Sequence, residues 1–232
     1  EKDNIEKYYQ LKLDLFTKFS HELRTPLTLI ISPVDDLMND KFLPERLQYI
    51  VRTIYKNSKR LLLLVNQLLD FRKIEHGAMK LSISKVPVES FIWEQIENFR
   101  ELSSKKQITI YYENLYKEDD VWFDIEMMEK VISNLLSNAI KYTGECGQIS
   151  IRSYELNEFF YFMISDNGEG ISEEDIHHIF EPFYQVHQGT HGGMFGSGIG
   201  LSLVQYIVKL HGGNIWVESE KGKGTTFYIS LF

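Results

Sequence analysis

The sequence predicts a chain in two parts: a two-helix hairpin over residues 1–76 that pairs with a second copy into a four-helix bundle, then an α+β sandwich over residues 77–232. Three observations predict it. Apolar residues recur at spacings of three and four as far as His76 and then give way to short alternating strands mixed with helices. The second helix carries two interleaved seven-residue repeats. Charge divides at the same place: 13 Lys+Arg against 11 Asp+Glu through His76, then 12 against 22 for the rest.

The first helix is expected over Ile5–Asn39, kinked at Pro26 and Pro33, each of which removes a backbone donor. It opens without a capping residue, as expected of a segment from a longer chain. Asp40 to Pro44 reads as a loop, with Pro44 placed to open the second helix. There Leu47, Ile54, Leu61 and Leu68 form one heptad series, and Ile50, Asn57, Leu64 and Phe71 form the other. One hairpin cannot enclose that seam together with Leu62, Leu63, Val65 and Leu69, so a homodimer is expected. Asn57 would set register. Gly77 would end the helix in a left-handed conformation.

Beyond it, Met79, Leu81 and Ile83 alternate as a strand, and Val88–Ser104 reads as one helix. Further strands are expected at Ile108–Tyr112, Val121–Phe123, Ile149–Tyr154, Phe159–Ser165, Ile215–Glu218 and Thr225–Leu231. Helices are expected at Ile125–Tyr142, Ser172–His178 and Gly200–His211. Their irregular order predicts a sheet with helices on one face.

Composition narrows the function. A hydrophobic share of 43% with 25% charged residues is that of a globular chain. One cysteine, Cys146, excludes an internal disulfide and fits a reducing compartment. The longest apolar run, Phe159 to Ile164, is too short for a membrane segment, and no signal peptide opens the chain. A net charge of −8 argues against direct nucleic-acid binding.

Candidate chemistry begins at His21-Glu22 on the first helix. Phe16, Phe19, Leu23, Leu27, Ile30, Val34 and Leu37 make one apolar stripe, and His21 lies about 200° around from Phe19. The imidazole therefore faces water or a partner. A neutral imidazole is a usable nucleophile near neutral pH, and an adjacent carboxylate can accept its second proton.

The second part carries several polar spots, each of which alone also fits an ordinary structural role. Asn134 and Asn138 share one helical face, and such amide oxygens suit a hard cation. Lys141 could neutralise phosphate, and Tyr142 offers a ring face. Asp166-Asn167-Gly168-Glu169-Gly170 follows a hydrophobic strand; Asp166 can accept from an exocyclic amine such as that of adenine, and the glycines admit close approach. Phe180-Glu181-Pro182-Phe183 anchors a loop rich in Gly, His and Gln, long enough to form a lid. Gly196, Gly198 and Gly200 precede a helix, where bare amides make an anion site. The P-loop pattern is absent.

Phe19 to Leu27 resembles the phosphoacceptor box of sensor histidine kinases. The spots at Asn134–Tyr142, Asp166–Gly170, Phe180–Phe183, Gly196–Leu201 and Gly222–Thr225 resemble the N, G1, F, G2 and G3 boxes of the GHKL (Bergerat) ATP-binding fold. The resemblance implies ATP and Mg2+ as cofactors, with Asn138 the main metal ligand and Asn134 assisting. It implies that Asp166 reads adenine, that Gly168, Gly170, Phe183, Leu201 and Thr225 line the nucleotide, and that Gly196, Gly198 and Gly200 close over the phosphates. His21 would attack the γ-phosphate while Glu22 draws off its proton, and the phosphoryl group would pass to a response-regulator receiver. Thr25 would hold the water for dephosphorylating that receiver.

The stretch Leu61–Gly77 is most similar to Bacteroidetes-type hybrid sensor kinases, which implies the cytoplasmic portion of an inner-membrane sensor. Two alternatives stay open at this point: a GHKL ATPase that drives a clamp, and a catalytically silent dimeric scaffold.

Overall fold

The computed structural model describes residues 23–38, 43–75, 79–118, 120–186 and 198–231. It divides into two compact units with the boundary between Ala78 and Met79.

In the first unit, helix α1 covers residues 23–38 and runs through both Pro26 and Pro33, and α2 covers Glu45–Glu75. Pro44 opens α2, its carbonyl accepting from Leu47 N and Gln48 N at 2.8 and 3.1 Å. The two helices are joined by Arg24 Nη2, which donates to Asn66 Oδ1 at 2.7 Å. Ile31, Val34 and Val51 are buried, whereas the seam residues Leu47, Ile50, Ile54 and Leu61 are all more than 40% exposed in the single chain. Asn57 is also exposed and donates to Thr53 O of its own helix at 2.8 Å. The loop at 39–42 and Gly77 lie outside the described residues.

The second unit contains β1 (Ser84–Pro87), α3 (Val88–Asn98), α4 (Arg100–Lys105), β2 (Thr109–Asn114), β3 (Asp120–Phe123) and α5 (Ile125–Tyr142). It continues with β4 (Gln148–Leu156), β5 (Phe159–Asp166), α6 (Glu173–Ile176), α7 (Gly200–Leu210), β6 (Asn214–Glu220) and β7 (Gly224–Leu231). Five strands form a sheet in the order β2-β4-β5-β7-β6, antiparallel except where β2 runs parallel to β4. Alternation selects the core face: Ile149, Ile151, Phe160, Phe162, Ile164, Phe227 and Ile229 are buried. They meet the apolar stripes of α5 (Met128, Val131, Ile132, Leu135, Leu136) and α7 (Leu203, Val204, Ile207, Val208). The opposite face carries the stacked rings of Tyr154 on Tyr161 and of Trp216 on Tyr228.

Two expectations fail. The strand expected from Met79 to Ile83 is absent, because its partner runs out: the β1–β3 ladder begins at Ser84↔Phe123, and Asp124 already turns the chain into α5. Ser82 N donates instead to the Asp124 carboxylate at 2.7 Å. The single helix expected over Val88–Ser104 is broken at Phe99 (φ −104°, ψ 1°), with no Gly or Pro in the sequence to signal it.

Asp124 fixes the start of α5. Its carboxylate caps Met127 N at 3.1 Å as well as holding Ser82 N, and its own N–H donates to His211 Nε2 at 3.0 Å. His211 Nδ1 lies 2.8 Å from Ile207 O, so the network requires the neutral tautomer with its proton on Nδ1. Asp124→Ala strands two backbone donors at a buried site, and should cost about 2 kcal/mol. Urea denaturation checks this; an unchanged midpoint would contradict the capping role.

Candidate nucleotide site

The site is assembled on α5. Asn134 and Asn138 are half-buried one turn apart. Asn134 Nδ2 donates to Lys130 O at 2.7 Å, which leaves Oδ1 as the group it presents. The first residue of α7, Gly200, lies against that oxygen; a Cβ there would be 2.6 Å from it. A side chain at this position would displace the Asn134 amide, so glycine lets the N-terminus of α7 meet that amide where it stands. Leu201 is half-buried in the same first turn. Lys141 Nζ donates to the Tyr142 hydroxyl at 3.0 Å and lies 4.7 Å from its ring centroid.

Asp166 ends β5, opposite Thr225 of β7. Burial holds its carboxyl above the usual carboxylate range, and N–H donors from Gly168 and Thr225 offset that only in part. Gly168 N donates to Asp166 Oδ1 at 2.9 Å. A Cβ on Gly168 would stand 2.4 Å from Tyr142 O, and Glu169 N donates to that same carbonyl at 3.1 Å. The loop after β5 is therefore docked, backbone to backbone, on the last turn of α5. Gly170 lies against Glu220 O, and Glu169 O accepts from Gly222 N at 2.7 Å, so the β6–β7 turn joins the same cluster.

Thr225 is buried, its hydroxyl 2.9 Å from Ser219 Oγ. Ser219 donates to Gly224 O and accepts from Ile171 N, both at 2.8 Å, and so ties the turn to the segment after Gly170. Nothing in the motif pattern marks Ser219; its inward position beside Ile215 and Val217 on β6 is the one signal available. Phe180 packs toward Phe227 with centroids 6.4 Å apart, while Phe183 is 57% exposed, so only the first of the two anchors the loop. Phe183 N donates to Gly198 O at 2.8 Å, which brings the Phe180–Phe183 segment to the residues ahead of α7.

The structure thus brings together Asn134 with Gly200, Tyr142 with Gly168, Gly168 with Asp166, Asp166 with Thr225, and Phe183 with Gly198. Thr25 is exposed on α1. His21, Glu22 and Gly196 lie outside the described residues.

Residues 123–232 match the family of histidine kinase-, DNA gyrase B-, and HSP90-like ATPases, and residues 11–77 match the His kinase A phosphoacceptor domain. The chain belongs to the sensor histidine kinases. It carries both domains of a histidine kinase core, and the phosphoacceptor match disfavours a free-standing clamp ATPase. Histidine kinase P4 of Formosa agariphila is 35% identical over 234 residues, which covers all of this core and 17% of that protein. The core therefore spans under a fifth of that relative. A full-length ShkA structure in complex with AMPPNP superposes with a TM-score of 0.79 at 26% identity, over 94% of this chain and 45% of that one. ThkA in complex with the response regulator TrrA superposes with a TM-score of 0.64 at 26% identity, over 99% of this chain and 65% of that one.

Asp166 gives a pH signature. A carboxyl whose folded-state pKa is raised favours the fold at acidic pH, and that contribution is lost as pH rises through the folded value. Asp166→Asn removes the titration, so its stability relative to the parent kinase should rise from acidic to neutral pH. Urea midpoints across that range measure it; a difference that is constant with pH would contradict the burial of this group.

Proposed function

We propose that this core binds Mg·ATP in its C-terminal unit, phosphorylates its own His21, and passes the phosphoryl group to an aspartate of a response-regulator receiver. One observation carries the nucleotide half of this reading: a desolvated carboxylate, Asp166, held by backbone amides on a loop that is docked on the helix bearing both asparagines. Such a carboxylate is a fixed acceptor for the adenine amine, while the Gly198–Gly200 backbone at the start of α7 faces the anionic phosphates.

The donor set fits a hard cation. Asn134 spends its amide N–H on Lys130 O, leaving an oxygen to offer, and Asn138 repeats the amide one turn on. These two residues would hold Mg2+, Asn138 as main ligand, and the ion would neutralise charge on the β- and γ-phosphates. At the acceptor, a ring nitrogen of His21 forms a bond to γ-phosphorus as the bond from phosphorus to the ADP oxygen breaks. Glu22 takes the proton from the other ring nitrogen. Orientation and charge neutralisation supply most of the acceleration. Thr25, exposed on α1, is assigned to orienting water for dephosphorylation of the receiver.

The exposed seam of Leu47, Ile50, Ile54 and Leu61 supports a homodimer through the helical unit, because a second copy would bury it. Receiver transfer is supported by the ThkA–TrrA complex. We assign the core to the cytoplasmic side of a membrane-anchored sensor; no helix among the described residues is long and apolar enough to cross a membrane.

Incubation with γ-labelled ATP and Mg2+ tests the reading. The label should be acid-labile and alkali-stable, absent from His21→Gln, and at least a hundredfold slower to appear in Glu22→Ala. His21→Gln should still bind nucleotide, whereas Asn138→Ala should lose Mg-dependent affinity with its fold kept. Undiminished labelling of His21→Gln would refute the acceptor assignment.

A further inference from the structure

Lys106 sits in the turn between α4 and β2, outside every motif named above. Its ammonium donates to three carbonyls at the end of α5: Ile140 O at 2.8 Å, and Lys141 O and Thr143 O at 3.0 Å each. Three donors on three acceptors use the whole capacity of the group. A helix C-terminus leaves its last carbonyls without intrahelical partners and carries the negative end of the helix dipole, so one cation answers both needs. The clasp is two-sided, because Lys106 O accepts from Cys146 N at 3.0 Å in the loop that follows α5.

The turn held in this way is one wall of the nucleotide site. It carries Lys141 and Tyr142, and Tyr142 O is the carbonyl on which Gly168 and Glu169 rest. A shift of that carbonyl moves the Asp166 loop directly, since no side chain lies between them. We propose that Lys106 is a positioning residue for the adenine subsite: it holds the last turn of α5 against the Asp166–Gly170 loop without touching the nucleotide. The inference rests on the C-terminal unit being the ATP site.

The test is calorimetric titration of the whole chain with Mg·ADP, with amide hydrogen exchange at Glu169 followed in parallel. Lys106→Met should weaken binding about tenfold and speed exchange at Glu169, and Lys106→Arg, which keeps charged donors, should recover most of the loss. Asp124→Ala is the control, because it weakens the opposite end of α5; it should lower the denaturation midpoint without a comparable loss of affinity. Lys106→Gln keeps two donors without the charge and gives the same comparison if the methionine variant does not fold. Parent affinity in Lys106→Met, or equal losses in Lys106→Met and Asp124→Ala, would overturn the positioning role. A parent chain that binds no ADP would overturn the ATP-site reading itself, and the inference with it.

Discussion

The contact between Tyr142 O and the Gly168-Glu169 backbone is the constraint on which the second unit's site depends. It joins the end of α5 to the end of β5 with no side chain between them, so the spacing of helix and strand is set by backbone van der Waals contact. Residues with a Cβ are shut out at Gly168, and the carboxylate of Asp166 beside it is partly withdrawn from water. Desolvation costs the charged form, and the two amides that face it return part of that cost. A group held in such a state is suited to recognise a ligand that brings its own donor.

Both ends of α5 are fixed by residues distant in sequence. At its start, Asp124 caps the helix while its own N–H is received by His211 at the end of α7. At its end, Lys106 gathers the free carbonyls. Between these points an apolar stripe packs on the sheet, and Asn134 sits on the flank that meets Gly200. Helix α5 is thus held at both ends and along its buried stripe.

Much of this was legible in the sequence where the signal is local. Apolar patterning marked β4, β5 and β7 within two residues of their observed ends, β4 by alternation and β5 by a continuous apolar run, and the five polar spots were visible as strings. Alternation misled at Met79–Ile83, because a strand needs a partner as well as a pattern, and none was in register. The break at Phe99 left no mark for want of Gly or Pro. Lys106, Ser219 and His211 escaped notice for a common reason: each acts on backbone groups brought near it only by the fold. Lys106 reaches carbonyls 34 to 37 residues away, and His211 receives an N–H from 87 residues away. No window of sequence reports such contacts. The second helix of the first unit was legible from its heptads, and the exposure of that seam in one chain is what a dimerising repeat leaves behind.

The proposed nucleotide selectivity depends on Asp166 as a fixed acceptor for an exocyclic amine. Guanine presents a carbonyl oxygen where adenine has that amine, and a desolvated carboxylate opposite it would meet an unpaired acceptor. The most direct measurement is the dissociation constant of Mg·ATP beside that of Mg·GTP for the same preparation of this kinase core. GTP should bind at least about a hundredfold more weakly than ATP, and equal affinity for the two nucleotides would contradict adenine recognition by Asp166.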